Sequence, residues 1–202
     1  MRNAARFVSL LLLLLFFHTY AEAAEKSPIA VNAEKLIQGA REEVDRRPLY
    51  RSAYYSGGVP PADEGVCTDL IWRAFQFAGV DLKKLLDTDI RRNKTSYPRV
   101  KGKADPNIDF RRVPNQTVFF RRHAKTLGTK MTPGDKAVTD TWLPGDIVVF
   151  ANPDHIAILS DKRNASGVPY LLHNQGPFAT EGDDFMAWYA CGIVAHFRLP
   201  TF

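Results

Sequence analysis

The residues of this chain that could do chemistry are one of its two cysteines and two of its five histidines. Cys67 lies near the start of the stretch 65-GVCTDLIWRAFQFAG-79. Most of the residues that follow it are apolar, so we expect Cys67 at the start of a buried helix. The free N–H groups and the dipole at a helix start stabilise a thiolate over a thiol. The position therefore suits a nucleophile.

A hairpin brings the two histidines together. The runs 155-HIAILSD-161 and 168-VPYLLHNQ-175 flank 162-KRNASG-167, which is rich in turn-forming residues. A turn centred on about Asn164 places His155 opposite His173 on one face, and a turn centred half a residue later places Asn174 there. We therefore predict Cys67 as nucleophile, His155 as general base and acid, and His173 or Asn174 as the residue that orients the imidazole.

The surrounding pattern predicts the elements that must hold these residues. We expect helices over 33–46 (capped by Asn32), 68–78 (ended by Gly79) and 116–127 (capped by Asn115). Strands follow in 143-LPGDIVVF-150, in the hairpin and over 192–199. Helices followed by an antiparallel meander predict an α+β domain over residues 24–202, with a basic insertion at about 88–114.

The N-terminus predicts export. Arg2 and Arg6 precede an apolar run over 7–17, and Ala21-Glu22-Ala23 has the small-x-small form of a cleavage site. The run is short for a membrane span, so we interpret residues 1–23 as a signal peptide rather than a retained anchor. We expect a periplasmic or secreted protein with no stable membrane anchor after cleavage.

Charge and cysteine content narrow the function further. The net charge of +5 favours an anionic surface partner such as a cell-wall polymer, and it is too mild to indicate nucleic acid. No CxxC or HExxH motif indicates a metal. In an exported chain a Cys67–Cys191 disulfide is the alternative to a nucleophile, unless the two Cα atoms lie more than roughly 7 Å apart.

The motifs GVCTDLIW, LPGDIVVF, HIAILSD and LLHNQ resemble the NlpC-type papain-like cysteine peptidases of bacterial cell walls, over residues 65–80 and 143–175. GVCTD, PNIDFRRVPN, FFRRH and HNQG resemble a secreted bacterial domain-of-unknown-function family placed in that superfamily. The resemblance implies a papain-like fold, the Cys67, His155 and His173 roles above, and hydrolysis of amide bonds in peptidoglycan stem peptides. It implies that no metal or organic cofactor is needed, and we expect the protein to be a monomer. Thr68-Asp69 stand where the superfamily usually has Ser-Gly.

Some polar residues have two interpretations. Asp69 either caps the helix or touches substrate, and the arginines at 111, 112, 121 and 122 form either a solvated face or a rim that binds carboxylates. We include Asn174, Asp69, Arg111 and Arg112 as candidate substrate contacts. Two rival functions remain: a catalytically silent envelope-binding module, and a metal site built from Cys67, His155 and His173.

Overall fold

The structure is a computed structural model that describes residue 27 and residues 29–201. The predicted signal peptide, with its cleavage site, lies outside the described residues. The helices are α1 (Ala33–Arg46), α2 (Cys67–Phe77), α3 (Leu82–Arg92), α4 (Val113–His123), α5 (Lys136–Thr139) and α6 (Phe185–Ala190). The strands are β1 (Leu49–Tyr50), β2 (Glu64–Gly65), β3 (Lys125–Leu127), β4 (Ile147–Phe150), β5 (His155–Arg163), β6 (Pro169–Asn174), β7 (Ala179–Gly182) and β8 (Ile193–Arg198).

Helices α1 and α2 begin and end at residues whose side chains or conformations favour a helix boundary. The Asn32 side chain caps α1 by accepting from the Lys35 N–H at 3.0 Å. At the start of α2, Asp69 accepts from the Val66 N–H at 2.9 Å, so the helix begins at Cys67, one residue earlier than predicted. Gly79, at φ +86°, follows the end of α2, a conformation that glycine adopts readily. The predicted start and end signals of both helices are confirmed within a residue.

A six-stranded antiparallel sheet organises the rest of the domain, in the order β3-β8-β4-β5-β6-β7. Helices α1 and α2 cover one face, where Leu70 and Phe75 join Ile156 and Ile158 in the larger core. Helix α6 covers the other face, where buried Phe185 joins a smaller core. The α+β class is therefore confirmed. Within the described residues, no helix is both long and apolar enough to cross a membrane.

The register of the β5–β6 hairpin differs from the prediction. Ile158 pairs with Leu172 and Leu159 with Leu171, which puts His155 two residues away from the position opposite His173. The Asn164 side chain accepts from the N–H groups of Ser166 and Val168, so Asn164 opens the turn rather than forming its centre. Neither predicted pairing of His155, with His173 or with Asn174, occurs, although His155 and His173 stay on one face because the shift is even.

The region between α2 and the sheet is more helical than predicted. Helix α3 extends to Arg92, and two short 3-10 turns follow, Lys94–Ser96 and Asp109–Arg111. Helix α4 begins three residues before the predicted start, because Pro114 is acceptable in a first turn. Residues 125–127 pair with β8 as a strand and do not extend the helix.

Candidate active site

Cys67 is the first residue of α2 and is buried, with 5 % of its surface exposed. Its thiol lies near strand β5, where the backbone N–H of Ile156 acts to lower the pKa of the thiol. Cys191 follows α6, is exposed, and is not bridged to Cys67; both thiols are free. The disulfide alternative is therefore wrong for this fold.

Burial decides the protonation state of this thiol. Desolvation, with a smaller contribution from the negative charge of Asp69, raises the pKa of Cys67 to about 12. The backbone N–H groups of Ile156, Thr68 and Cys67 oppose that rise without overcoming it. The direction is opposite to the one predicted from the helix start, since desolvation outweighs the N–H groups and the dipole. Cys67 is a neutral thiol in this structure.

The two histidines form a buried dyad. The Nε2 atom of His155 lies 2.8 Å from the Nδ1 atom of His173, within hydrogen-bonding distance. Both residues are buried. Burial, and then the charge of His173, lower the pKa of His155 to about 3. His155 is therefore a neutral imidazole across the working pH range.

A carboxylate completes a chain of three side chains. The Nε2 atom of His173 lies 3.3 Å from Oδ2 of Asp184, and the hydrogen bond from His173 keeps the pKa of Asp184 below its usual range. An ionised carboxylate only accepts, so a neutral His173 donates from Nε2 and accepts at Nδ1. His155 then donates from Nε2, which leaves its Nδ1 lone pair as the basic position of the dyad.

Trp188 covers the dyad from α6. Its indole stacks on the His155 ring, with centroids 4.0 Å apart and planes 14° apart. The indole N–H donates to Oε1 of Gln175 at 3.0 Å, which fixes the ring over the imidazole. Asp184 and Trp188 were both missed in the sequence, although an aspartate directly before the run 185-FMAWYA-190 is a helix-start signal.

The thiol and the dyad approach β5 at neighbouring residues. Cys67 contacts the backbone of Ile156, while the His155 ring lies against Trp188 on the α6 face. Within the described part of the chain, the Cys67 thiol and the His155 ring are not joined by a hydrogen bond. The structure thus brings His155 and His173 into direct contact, while Cys67 lies on the other face of β5, near the backbone of Ile156.

Asn174 lies on the Cys67 side of the sheet rather than against His155. Its side-chain amide donates to the carbonyls of Pro48 and Gly65 at 3.4 and 3.3 Å. Since Gly65 lies two residues before Cys67, Asn174 holds the segment that leads into α2. The contact between His173 and His155 therefore favours His173, rather than Asn174, as the residue that orients the His155 imidazole.

Asp69 and Arg111 bind each other. The Arg111 Nε and Nη2 atoms each lie 2.7 Å from an Asp69 carboxylate oxygen, and the two side chains are 2 % and 0 % exposed. Arg111 also donates to the Ala53 carbonyl at 2.7 Å and lies over the Tyr55 ring. The prediction that Arg111 forms an exposed rim is wrong, because α4 and the 3-10 turn before it bury the side chain beside α2. Asp69 caps the helix, one of its two predicted roles.

Arg112 differs from its neighbour. Its side chain is 40 % exposed and lies 3.9 Å from the Asp109 carboxylate, too far for a hydrogen bond. Of the two adjacent arginines predicted to form a rim, only Arg112 has the exposure that a rim requires.

A second histidine cluster lies elsewhere in the sheet. His196 is buried, stacks on Trp142 with centroids 4.0 Å apart, and lies 2.7 Å from Oδ2 of Asp146. Asp146 also accepts from Arg198 and from the Leu143 N–H, so the carboxylate joins β4, β8 and the turn before β4. This arrangement agrees with a structural role for His196 and Asp146.

The possible metal ligands among the residues that the structure describes are not arranged as a metal site. Within residue 27 and residues 29–201, no group of three His, Cys, Asp or Glu side chains is arranged to hold a metal ion. His155 and His173 direct nitrogens at each other in a hydrogen bond. The alternative of a Cys67, His155 and His173 metal site is therefore not supported.

The chain belongs to the DUF1287 family, described as a domain of unknown function, whose model matches residues 37–199. A relative from Escherichia coli (strain K12), the uncharacterized protein YijF, is 36 % identical over 172 residues, which cover 81 % of this chain and 80 % of the relative. No solved structure matches the chain. The resemblance to a domain-of-unknown-function family is confirmed, and these comparisons name no peptidase.

Proposed function

We propose that this protein is an exported cysteine hydrolase with a papain-like arrangement, a peptidase or amidase that cleaves amide bonds in peptidoglycan stem peptides. The observation that carries the proposal is the Asp184–His173–His155 chain, whose hydrogen bonds leave one basic nitrogen on His155. The thiol of Cys67 lies near the backbone of Ile156, the residue that follows His155. A thiol, a base and an orienting group are the three parts of nucleophilic acyl transfer.

The pKa values favour one form of the mechanism. A preformed thiolate–imidazolium pair requires a thiol that is more acidic than the imidazolium, and here the order is reversed, with Cys67 at about 12 and His155 at about 3. We infer that a bridging water carries the proton from Cys67 to His155 as sulfur attacks the carbonyl carbon, since the thiol and the imidazole lie on opposite faces of β5. His173 and Asp184 then stabilise the imidazolium that forms.

The remaining steps follow from the same groups. The new C–S bond creates an oxyanion, and the backbone N–H groups at the start of α2 and at Ile156 are the nearby donors that support it. The His155 imidazolium returns its proton to the leaving amine as the C–N bond breaks. Water, deprotonated by His155, then hydrolyses the thioester and frees the thiol. No step uses a metal or an organic cofactor.

The direct test is incubation of purified muropeptides with the wild type, Cys67→Ala and Cys191→Ala, followed by chromatography and mass spectrometry. We expect the wild type and Cys191→Ala to cleave and Cys67→Ala not to cleave. Cys191→Ala is the matched control, since it removes the other free thiol, which is exposed. Equal cleavage by Cys67→Ala, or none by the wild type, contradicts the proposal.

The second candidate is a catalytically silent envelope-binding module. The depth and high pKa of the Cys67 thiol favour it, as does the lack of a hydrogen bond between this thiol and the His155 ring in the described residues. It predicts that the wild type and Cys67→Ala sediment equally with purified cell wall and that neither cleaves it.

Export is tested separately. If residues 1–23 are removed as proposed, N-terminal sequencing of the protein recovered from the periplasm or medium begins at Ala24. A start before Ala21, or recovery only from the cytoplasm, contradicts export. We propose that the processed protein acts as a monomer on peptidoglycan or its peptides.

A further inference from the structure

A cleft beside α4 is walled by segments that are linked to the two halves of the proposed active site. The Thr68 hydroxyl donates to the Arg111 carbonyl at 2.9 Å, and the Gln116 side chain donates to the Thr68 carbonyl at 3.3 Å. These bonds hold the start of α4 against the residue that follows Cys67. The opposite wall includes Asp154, which directly precedes His155. Neither Cys67 nor His155 lines the cleft, but its walls are formed by segments that adjoin both residues in sequence or through these hydrogen bonds.

The α4 cleft has a volume of about 160 Å³, below the roughly 300–1,000 Å³ of sites that take drug-sized ligands, so it suits one side chain rather than a whole peptide. Its apolar surface comes from α4, β4 and β8, through Val113, Pro114, Val118, Val149 and Val194. Val194 is 41 % exposed, so this surface is open to solvent. An aliphatic side chain of a peptide fits such a surface.

Arg121 supplies the cleft with an available positive charge. The neighbouring arginines are engaged: Arg122 pairs with Asp89 at 2.8 Å, and Arg99 lies 3.4 Å from Asp154. Arg121 is exposed, lines the cleft, and makes neither an ion pair nor a side-chain hydrogen bond within the described residues. A guanidinium with free N–H groups above an apolar floor matches a carboxylate attached to an aliphatic residue.

We propose that the α4 cleft is a substrate subsite that takes a carboxylate-bearing residue of the stem peptide, with the carboxylate on Arg121 and the aliphatic part on the valines and prolines. This inference rests on the proposed function. It separates Arg121 from Arg111 and Arg122, which have close partners, and from Arg112, which does not line the cleft. The net charge of +5 is consistent with an anionic ligand.

Binding to full-length Cys67→Ala, which cannot cleave, tests the subsite by calorimetry. The probes are a synthetic stem tetrapeptide with all carboxylates free, the same peptide with a C-terminal amide, and the same peptide with its internal carboxylate amidated. We expect Cys67→Ala to prefer the free acid over one of the two amides by about tenfold, as a charge-assisted hydrogen bond allows. The disfavoured amide identifies which carboxylate binds.

Two added substitutions decide whether Arg121 is responsible. Arg121→Gln in the Cys67→Ala chain is expected to bind all three peptides alike, at the affinity of the disfavoured amide. Arg92→Gln is the matched control: it also removes one exposed arginine with no ion pair in the described chain, but it lies on α3 and does not line the cleft. We expect it to keep the preference.

The outcomes separate the two proposals. If the wild type cleaves the tetrapeptide but Arg121→Gln keeps the preference for the free acid, the subsite is refuted and the hydrolase stands. A loss of preference in Arg92→Gln as large as in Arg121→Gln also refutes it. If the wild type neither cleaves nor binds any of the peptides, both proposals are wrong.

Discussion

Breaking the Asp69–Arg111 ion pair is expected to destabilise the whole domain. Arg111→Met keeps most of the side-chain volume but leaves the Asp69 carboxylate buried without its two 2.7 Å partners. Because the two side chains are almost fully buried, solvent screens the pair little, and removing one partner costs about 3–5 kcal/mol of unfolding free energy. For a domain of this size that lowers the Tm by about 10 °C.

The assay is urea and thermal unfolding followed by circular dichroism, with two comparisons. Arg112→Met removes the neighbouring arginine, whose side chain is 40 % exposed and forms no close contact, so we expect a loss of less than about 1 kcal/mol. Asp69→Asn combined with Arg111→Met is expected to be less destabilising than the sum of the single changes, since no charge stays buried. Equal losses for Arg111→Met and Arg112→Met would refute the reasoning.

Three further predictions concern the candidate site. In Cys191→Ala, Cys67 is the only cysteine. Its pKa of about 12 makes the thiolate about a thousandfold rarer at neutral pH than for an ordinary thiol. The rate of alkylation by iodoacetamide should therefore still rise above about pH 10, and an inflection below neutral pH contradicts this. Asp184→Asn is expected to lower kcat on muropeptides about tenfold, part of the general-base contribution, with KM and Tm unchanged; an unchanged kcat contradicts the relay. Trp188→Leu exposes His155 to water, which should raise the pKa of its imidazole. The acid limb of kcat/KM, where activity falls as His155 becomes protonated, should therefore move to higher pH than in the wild type, and an unmoved profile contradicts this role.

Features set by neighbouring residues were predictable from the sequence. The α1 boundaries follow from the Asn32 cap and one apolar face, and α2 follows from a buried apolar run ended by Gly79. The hairpin and the contact between His155 and His173 also follow from local pattern. These signals act over a few residues, where capping, turn chemistry and periodicity decide the conformation.

Features set by distant contacts were not predictable. The hairpin register depends on how Asn164 opens the turn and on a bulge between Leu159 and Arg163. The burial of the Arg111 side chain depends on its ion pair with Asp69, which is 42 residues away in sequence. The high pKa of Cys67 follows from its burial in the larger core among residues distant in sequence, which no local pattern reveals. A position at a helix start, taken alone, therefore predicts the wrong direction for the pKa shift of Cys67.

The position of β8 in the sheet bears on how the protein reaches its native state. β8 is the last strand in sequence among the described residues, yet it lies inside the sheet between β3 and β4. Until residues 193–198 arrive, the buried strand 147-IVVF-150 has one unpaired edge of the kind that joins other chains. The sheet therefore cannot be completed before β8 has been synthesised, and the hydrophobic edge of β4 needs protection from aggregation until residues 193–198 insert.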